Sequence, residues 1–191
     1  MSALDLHSVL KDLADRKKRP LDFVSVYEDF YSGLGTVRTL EHLLISNSLP
    51  FQPKPRCAWE FSLLASQQHL AEAARIAARA DLILISKSRS KSIPKTVTRW
   101  FDEWTGLRSD REGVLLAFTD EESPTSEEIK YFQDRAQGAG LAFFVHGIEP
   151  TRSLQGNTGS PERHSEWEAF KTVSQFVRHP ASVQRWGINE Y

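Results

Sequence analysis

The sequence predicts a three-layer α/β/α sandwich on a parallel sheet of about five strands, and three observations carry that prediction. Leu82-Ile83-Leu84-Ile85 and residues 113–118 (GVLLAF) are continuous apolar runs bounded by polar or glycine residues, the pattern of short strands covered on both faces. Such runs alternate along the chain with segments of helical spacing, the order that right-handed β-α-β crossovers require. Every residue from 86 to 92 bears a hydroxyl or a positive charge, so the strand before them ends at a solvent-facing edge, and Pro94 opens a helix just beyond.

Residues 4–16 place leucines at 4, 6, 10 and 13 and run into Arg16-Lys17-Lys18-Arg19, a short helix with a cationic last turn that Pro20 stops. Phe23-Val24-Ser25-Val26-Tyr27 reads as a strand with Glu28 and Asp29 at its exit. Gly33 and Gly35 read as a turn, and residues 36–46 as an amphipathic helix with Val37, Leu40, Leu43 and Leu44 inward. A proline-bounded loop at 47–55 follows, and then a short strand at 56–61, with Cys57 and Trp59, which Pro53 and Pro55 confine to the sheet margin. Residues 63–80 have the composition of a strong helix, and the strand at 81–86 follows at once. The helix opened by Pro94 buries Val97, Trp100, Phe101 and Trp104 and closes at Gly106; the two tryptophans read as core and not as a stacking platform. After the strand at 113–118, Pro124 and Ser126-Glu127-Glu128 open a helix with Ile129, Tyr131, Phe132 and Ala136 as apolar surface, ended by Gly138 and Gly140. Residues 141–145 (LAFFV) form the last strand. Residues 1–191 read as one domain: 1–20 an N-terminal helical extension, 151–164 a mobile loop, 165–191 a C-terminal helix and tail whose Trp167, Phe170, Val173 and Val177 pack on the sheet.

Composition removes several classes of function. The 24 Lys plus Arg balance 25 Asp plus Glu, a net charge of -1, so nucleic acid and anionic membranes are not expected partners. Cys57 is the only cysteine, which excludes an intramolecular disulfide and multi-cysteine metal sites, and beside Trp59 it reads as a packed thiol. No apolar run has the length of a signal-peptide core or a membrane span, and a cytoplasmic protein is expected. His7, His42, His69, His146, His164 and His179 show no ligand spacing, and Glu28 and Asp29 have only Thr119 and Asp120 as further oxygen ligands in view; no metal is expected. Signatures of the P-loop, the nucleophile elbow and the dinucleotide-binding turn are absent, and no catalytic residue is assigned.

In an open sheet of this kind ligands meet the carboxyl ends of the strands, here residues 31–38 and 86–92. The expected binding residues are Ser32, Gly33, Gly35, Thr36 and Arg38 from the first segment and Ser88, Arg89 and Ser92 from the second. Glycine-bearing turns at helix starts offer amides to phosphate, and Arg38 and Arg89 add paired donors to the same group.

Ala80-Asp81, Ser92-Ile93-Pro94 and Asp102, with Trp104 one place beyond the usual tryptophan, resemble the NADPH-dependent FMN reductase branch of the flavodoxin-like superfamily. The match covers residues 80–104; it implies the flavodoxin-like strand order, FMN as cofactor and, for an enzyme, a flavin-dependent reductase. Where that family carries an aromatic residue in its flavin loop, this chain has Lys87-Ser88-Arg89-Ser90-Lys91. A second resemblance, to response-regulator receiver domains, rests on Glu28-Asp29 after the first strand and puts Ser86 where the phosphoacceptor Asp would stand. Two functions therefore stand side by side: binding of a phosphate-bearing small molecule, FMN first, or a non-catalytic interaction or signalling module that meets a protein partner. The sequence does not specify oligomeric state.

Overall fold

The computed structural model describes residues 5–46, 58–87, 92–109, 111–119 and 126–147. Strands β1 (Phe23–Tyr27), β2 (Ala58–Glu60), β3 (Leu82–Lys87), β4 (Gly113–Thr119) and β5 (Leu141–Gly147) pair in the order β2-β1-β3-β4-β5, every neighbour parallel. Helix α1 (Leu6–Lys17) precedes β1, and between the strands run α2 (Phe30–Ser46), a 3₁₀ turn at Leu63–Ala65 with α3 (Gln67–Arg79), α4 (Lys95–Leu107) and α5 (Ser126–Gly138).

The apolar runs explain which strands are central. Residues Leu82 to Ser86 and all of β4 are buried, as strands covered on two faces must be. Val24, Val26, Ile83, Ile85, Leu115 and Ala117 look towards Leu70, Ala74, Trp100, Phe101 and Phe132 of α3, α4 and α5. Phe23, Leu82, Leu84, Val114, Leu116 and Phe118 look the other way, towards Leu10 and Leu13 of α1 and Leu40 and Leu44 of α2. The pairings Val24 with Ile83 and Ile83 with Leu115 keep each set on its own face, and a slip of one residue would turn both cores inside out. Trp100 and Trp104 are fully buried and pack on Phe101 with ring centroids 5.1 and 5.5 Å away, so both are core. Through Leu10, Leu13 and Ala14 the first helix is part of a core layer and not an appendage to it.

Two local expectations change. Helix α2 starts at Phe30 instead of at residue 36, so Gly33 and Gly35 are helical and make no turn. The cause is a reciprocal cap: Asp29 Oδ1 accepts from the Ser32 amide at 2.9 Å, while Ser32 Oγ accepts from the Asp29 amide at 3.1 Å. Helix α4 runs through Gly106 to Leu107, with Pro94 as the residue before its first turn. Gly140, at φ +67°, closes α5 as expected of glycine in the left-handed region. The loop at 47–55, Cys57, the loop at 151–164 and the segment at 165–191 lie outside the described residues.

The amino ends of the strands are fastened by Asp81, whose side chain is fully buried. Its carboxylate accepts the Asp22 amide at 2.9 Å and guanidinium contacts from Arg19 at 2.9 and 3.2 Å and from Arg111 at 3.1 Å, with Lys17 at 3.7 Å. Burial pushes this carboxyl up, but the Asp22 amide, Arg111 and Arg19 together outweigh it and hold the group below its ordinary value. Arg108 completes the joint by donating to the carbonyls of Ala77, Ala80 and Arg111 at 3.2, 3.1 and 2.8 Å. Burial first, then the charge of Arg111, brings Arg108 down to about 10, against the pull of Asp81. Gly113 sits where any Cβ would be 2.6 Å from the Asp81 carbonyl oxygen and 2.7 Å from Arg108 Nη2.

Candidate functional site at the carboxyl edge of the sheet

The strand order reverses between β1 and β3, so the crevice of this sheet opens where Tyr27 and Ser86 leave it. Tyr27 is buried, and its ring fills the space beside Gly33: a Cβ there would stand 2.9 Å from ring carbons. Burial, with a smaller push from Glu60, takes the Tyr27 hydroxyl up to about 12. Gly33 is therefore small because of the tyrosine packed on it, and this is a different demand from backbone approach to a phosphate.

Of the other expected residues of the first segment, Ser32, Gly35 and Thr36 are buried. Thr36 is fully buried and donates to the Ser32 carbonyl at 2.8 Å; Thr39 donates to that of Gly35 at 2.9 Å. Ser32 spends its hydroxyl in the cap, and its amide faces the Asp29 carboxylate. Arg38 lies eight residues into the helix from Phe30, about 12 Å along its axis, half-buried beside Glu41. Burial raises the Glu41 carboxyl and Arg38 moderates the rise. The structure thus brings Ser32, Gly33, Gly35 and Thr36 together as one helical turn, with Arg38 well below it. In that turn the Ser32 amide meets the Asp29 carboxylate, the Gly33 amide meets the Asp29 carbonyl at 3.0 Å, and the hydroxyls of Ser32 and Thr36 donate to backbone carbonyls.

On the β3 side, Ser86 is fully buried; its hydroxyl donates to the Ser32 carbonyl at 3.1 Å and its carbonyl accepts the Glu28 amide at 2.9 Å. Ser88 and Arg89 lie outside the described residues, and Ser92 is exposed just before Ile93 and Pro94. Lys87 reaches Glu128, in the first turn of α5, at 2.6 Å; the two side chains are 13% and 9% exposed. Thr119, the β4 partner of Lys87, is buried beside this pair's strand end. The head of α2 was readable from Asp29-Phe30-Tyr31-Ser32, a capping-box spacing with Ser in the third helical position. Nothing local announces the Lys87–Glu128 pair, since its partners are on separate elements.

Parallel order β2-β1-β3-β4-β5 with helices on both faces defines a flavodoxin-like α/β domain. No protein-family model matches the chain, and no curated protein matches it. Among solved structures it is similar to the rubredoxin:oxygen oxidoreductase of the anaerobe Desulfovibrio gigas, at 12% identity and TM-score 0.44 over 84% of this chain and 36% of that one. It is similar also to two-electron reduced Megasphaera elsdenii flavodoxin (11% identity, TM-score 0.43, 69% of this chain and 90% of that). A third is the NAD(P)H:quinone oxidoreductase of Methanothermobacter marburgensis (12%, 0.40, 84% and 98%). The chain spans about a third of the length of the first of these. The fold class rests on strand order and register, and the likenesses say nothing further about chemistry. Among the described residues no helix is long and apolar enough to cross a membrane, and no group of three or more His, Cys, Asp or Glu side chains could hold a metal ion.

Proposed function

We propose that this chain is a non-catalytic interaction or signalling module on a flavodoxin-like scaffold, one that meets a protein partner. The observation that carries this reading is the head of α2, where the reciprocal cap sets the Asp29 carboxylate on the Ser32 amide and the hydroxyls of Ser32 and Thr36 donate to backbone carbonyls, an arrangement that disfavours a phosphate. Ser86, with its hydroxyl held by the Ser32 carbonyl, supports the same reading, because a buried serine at that strand end offers no carboxylate to accept a phosphoryl group. Incubation with acetyl phosphate should leave the intact mass of the protein unchanged; a gain of one phosphoryl group at residues 86–92 would overturn this part of the reading.

The second reading is a phosphate-bearing small molecule, with FMN first and a flavin-dependent reductase as the activity. It is favoured by Ser92-Ile93-Pro94 leading into α4 at the carboxyl edge, with Ser92 exposed. Any such ligand would rest its phosphate on residues of the 86–92 segment and not on the head of α2. The visible spectrum of the purified protein and an FMN fluorescence titration decide between the two. The module reading expects a colourless protein that leaves micromolar FMN unquenched, and saturable quenching would replace it with the flavin reading.

A further inference from the structure

We propose that the outer edge of β5 pairs with the β5 edge of a second copy of this chain, antiparallel about a two-fold axis at Phe144, so that two sheets join into one. The inference goes beyond the module reading and does not rest on it. The two edge strands of the sheet differ. Strand β2 is three residues long and follows Pro53 and Pro55, which blunt it as an edge. Strand β5 runs for seven residues, pairs with β4 throughout and has, among the described residues, no strand on its other side. Its sequence, LAFFVHG, holds no proline, lysine or carboxylate, the residues that ordinarily keep an edge from meeting another. Val145 is 41% exposed, and Phe143 and Phe144 are only half-buried.

The strand is complementary to itself. With Phe144 opposite its own counterpart, Phe143 of each copy falls opposite the partner's Val145, and Ala142 opposite the partner's His146. Aromatic pairs and pairs of an aromatic with a β-branched side chain are among those that stabilise neighbouring strands, and no carboxylate or ammonium faces another in this register. The helix above the edge permits the approach. Tyr131 and Arg135 turn one flank of α5 to Phe101 and Asp102 of α4, and Phe132 and Ala136 turn another to the core. Helical spacing leaves half-buried Ile129 and exposed Gln133 and Gln137 on the flank away from α4, so two copies of α5 can lie side by side with no charge between them. A strand about 23 Å long under one helix layer offers about 450 Å² per copy, or about 900 Å² for the pair, the size of a weak and reversible interface. The two-fold axis sends the crevices of the two copies to opposite ends of the joined sheet, and neither is covered.

The test is sedimentation velocity of the full chain, wild type and Val145→Asp, from about 5 to 500 µM, the range in which an interface of this size associates. The wild type should pass from monomer to dimer as concentration rises. Val145 is exposed in the single copy, so Val145→Asp should keep its circular dichroism, and the carboxylate set against the partner's Phe143 should weaken the dimer by roughly tenfold or more. Hydrogen exchange read residue by residue gives a second measure that needs no variant: alternate amides of β5 should exchange more slowly at the high end of the range than at the low end. A wild type that stays monomeric throughout overturns the proposal, as does a dimer that Val145→Asp leaves unchanged or whose formation leaves β5 exchange unaltered. Full protection of the β5 edge already in the dilute monomer would mean that this chain covers the edge itself, and would overturn it too.

Discussion

Replacing Asp81 by Asn probes the joint at the amino ends of the strands. The carboxylate is fully buried and serves the Asp22 amide, Arg19 and Arg111 within 3.2 Å, so the amide substitution leaves two guanidinium groups facing an uncharged and partly mismatched partner. Breaking a buried charge pair from one side costs about 3–5 kcal/mol. Arg19 and Arg111 keep 37% and 31% of their side-chain surface in water, which places the expected loss at the lower end, about 3 kcal/mol. For a chain of this size that lowers Tm by roughly 6–12 °C. Urea unfolding followed by far-ultraviolet circular dichroism measures it directly. The pH dependence gives an independent check. Because the folded carboxyl titrates below its ordinary value, its contribution is complete above the unfolded pKa and is lost as pH falls through the folded pKa. The wild type should therefore lose stability more steeply than Asp81→Asn on acidification, and the two should converge in acid. A loss under about 1 kcal/mol near neutrality, or parallel pH profiles, would refute the assignment of Asp81 as the joint.

Other perturbations test the packing that frames the crevice. Gly113→Ala would place a methyl group 2.6 Å from the Asp81 carbonyl oxygen, an overpacking expected to cost about 1–3 kcal/mol in a urea melt, and a variant as stable as the wild type would mean that the strand shifts freely. Ile83→Asp would bury an unpaired carboxylate in the central strand at a cost of several kcal/mol, and it should abolish soluble expression; normal yield with cooperative melting speaks against the strand assignment. Thr36→Val removes only the bond to the Ser32 carbonyl, so it should cost about 1 kcal/mol and leave any FMN or phosphate response unaltered, which calorimetry can check.

Much of the fold was already legible in the chain because its strands are patterned by burial alone. Leu82-Ile83-Leu84-Ile85 and Gly113 to Phe118 are apolar on both sides, and no surface position could hold such runs, so strand type and centrality followed from composition and length. Phe23 to Tyr27 was read to the residue, and the aromatic face of α4 was set by its helical spacing. The start of α2 was misplaced because glycine is an ambiguous signal: Gly33 and Gly35 suit a turn, but Gly33 here makes room for Tyr27, a partner six positions earlier whose ring only the folded strand brings beside the helix. The tertiary structure alone decided which charges meet. Asp81 gathers Arg19 from before the sheet and Arg111 from after α4, and Lys87 finds Glu128 across two elements. Apolar burial is written residue by residue in the sequence, since it depends on each side chain's own affinity for water. Ion pairs depend on distances between elements, and those exist only once the sheet has closed.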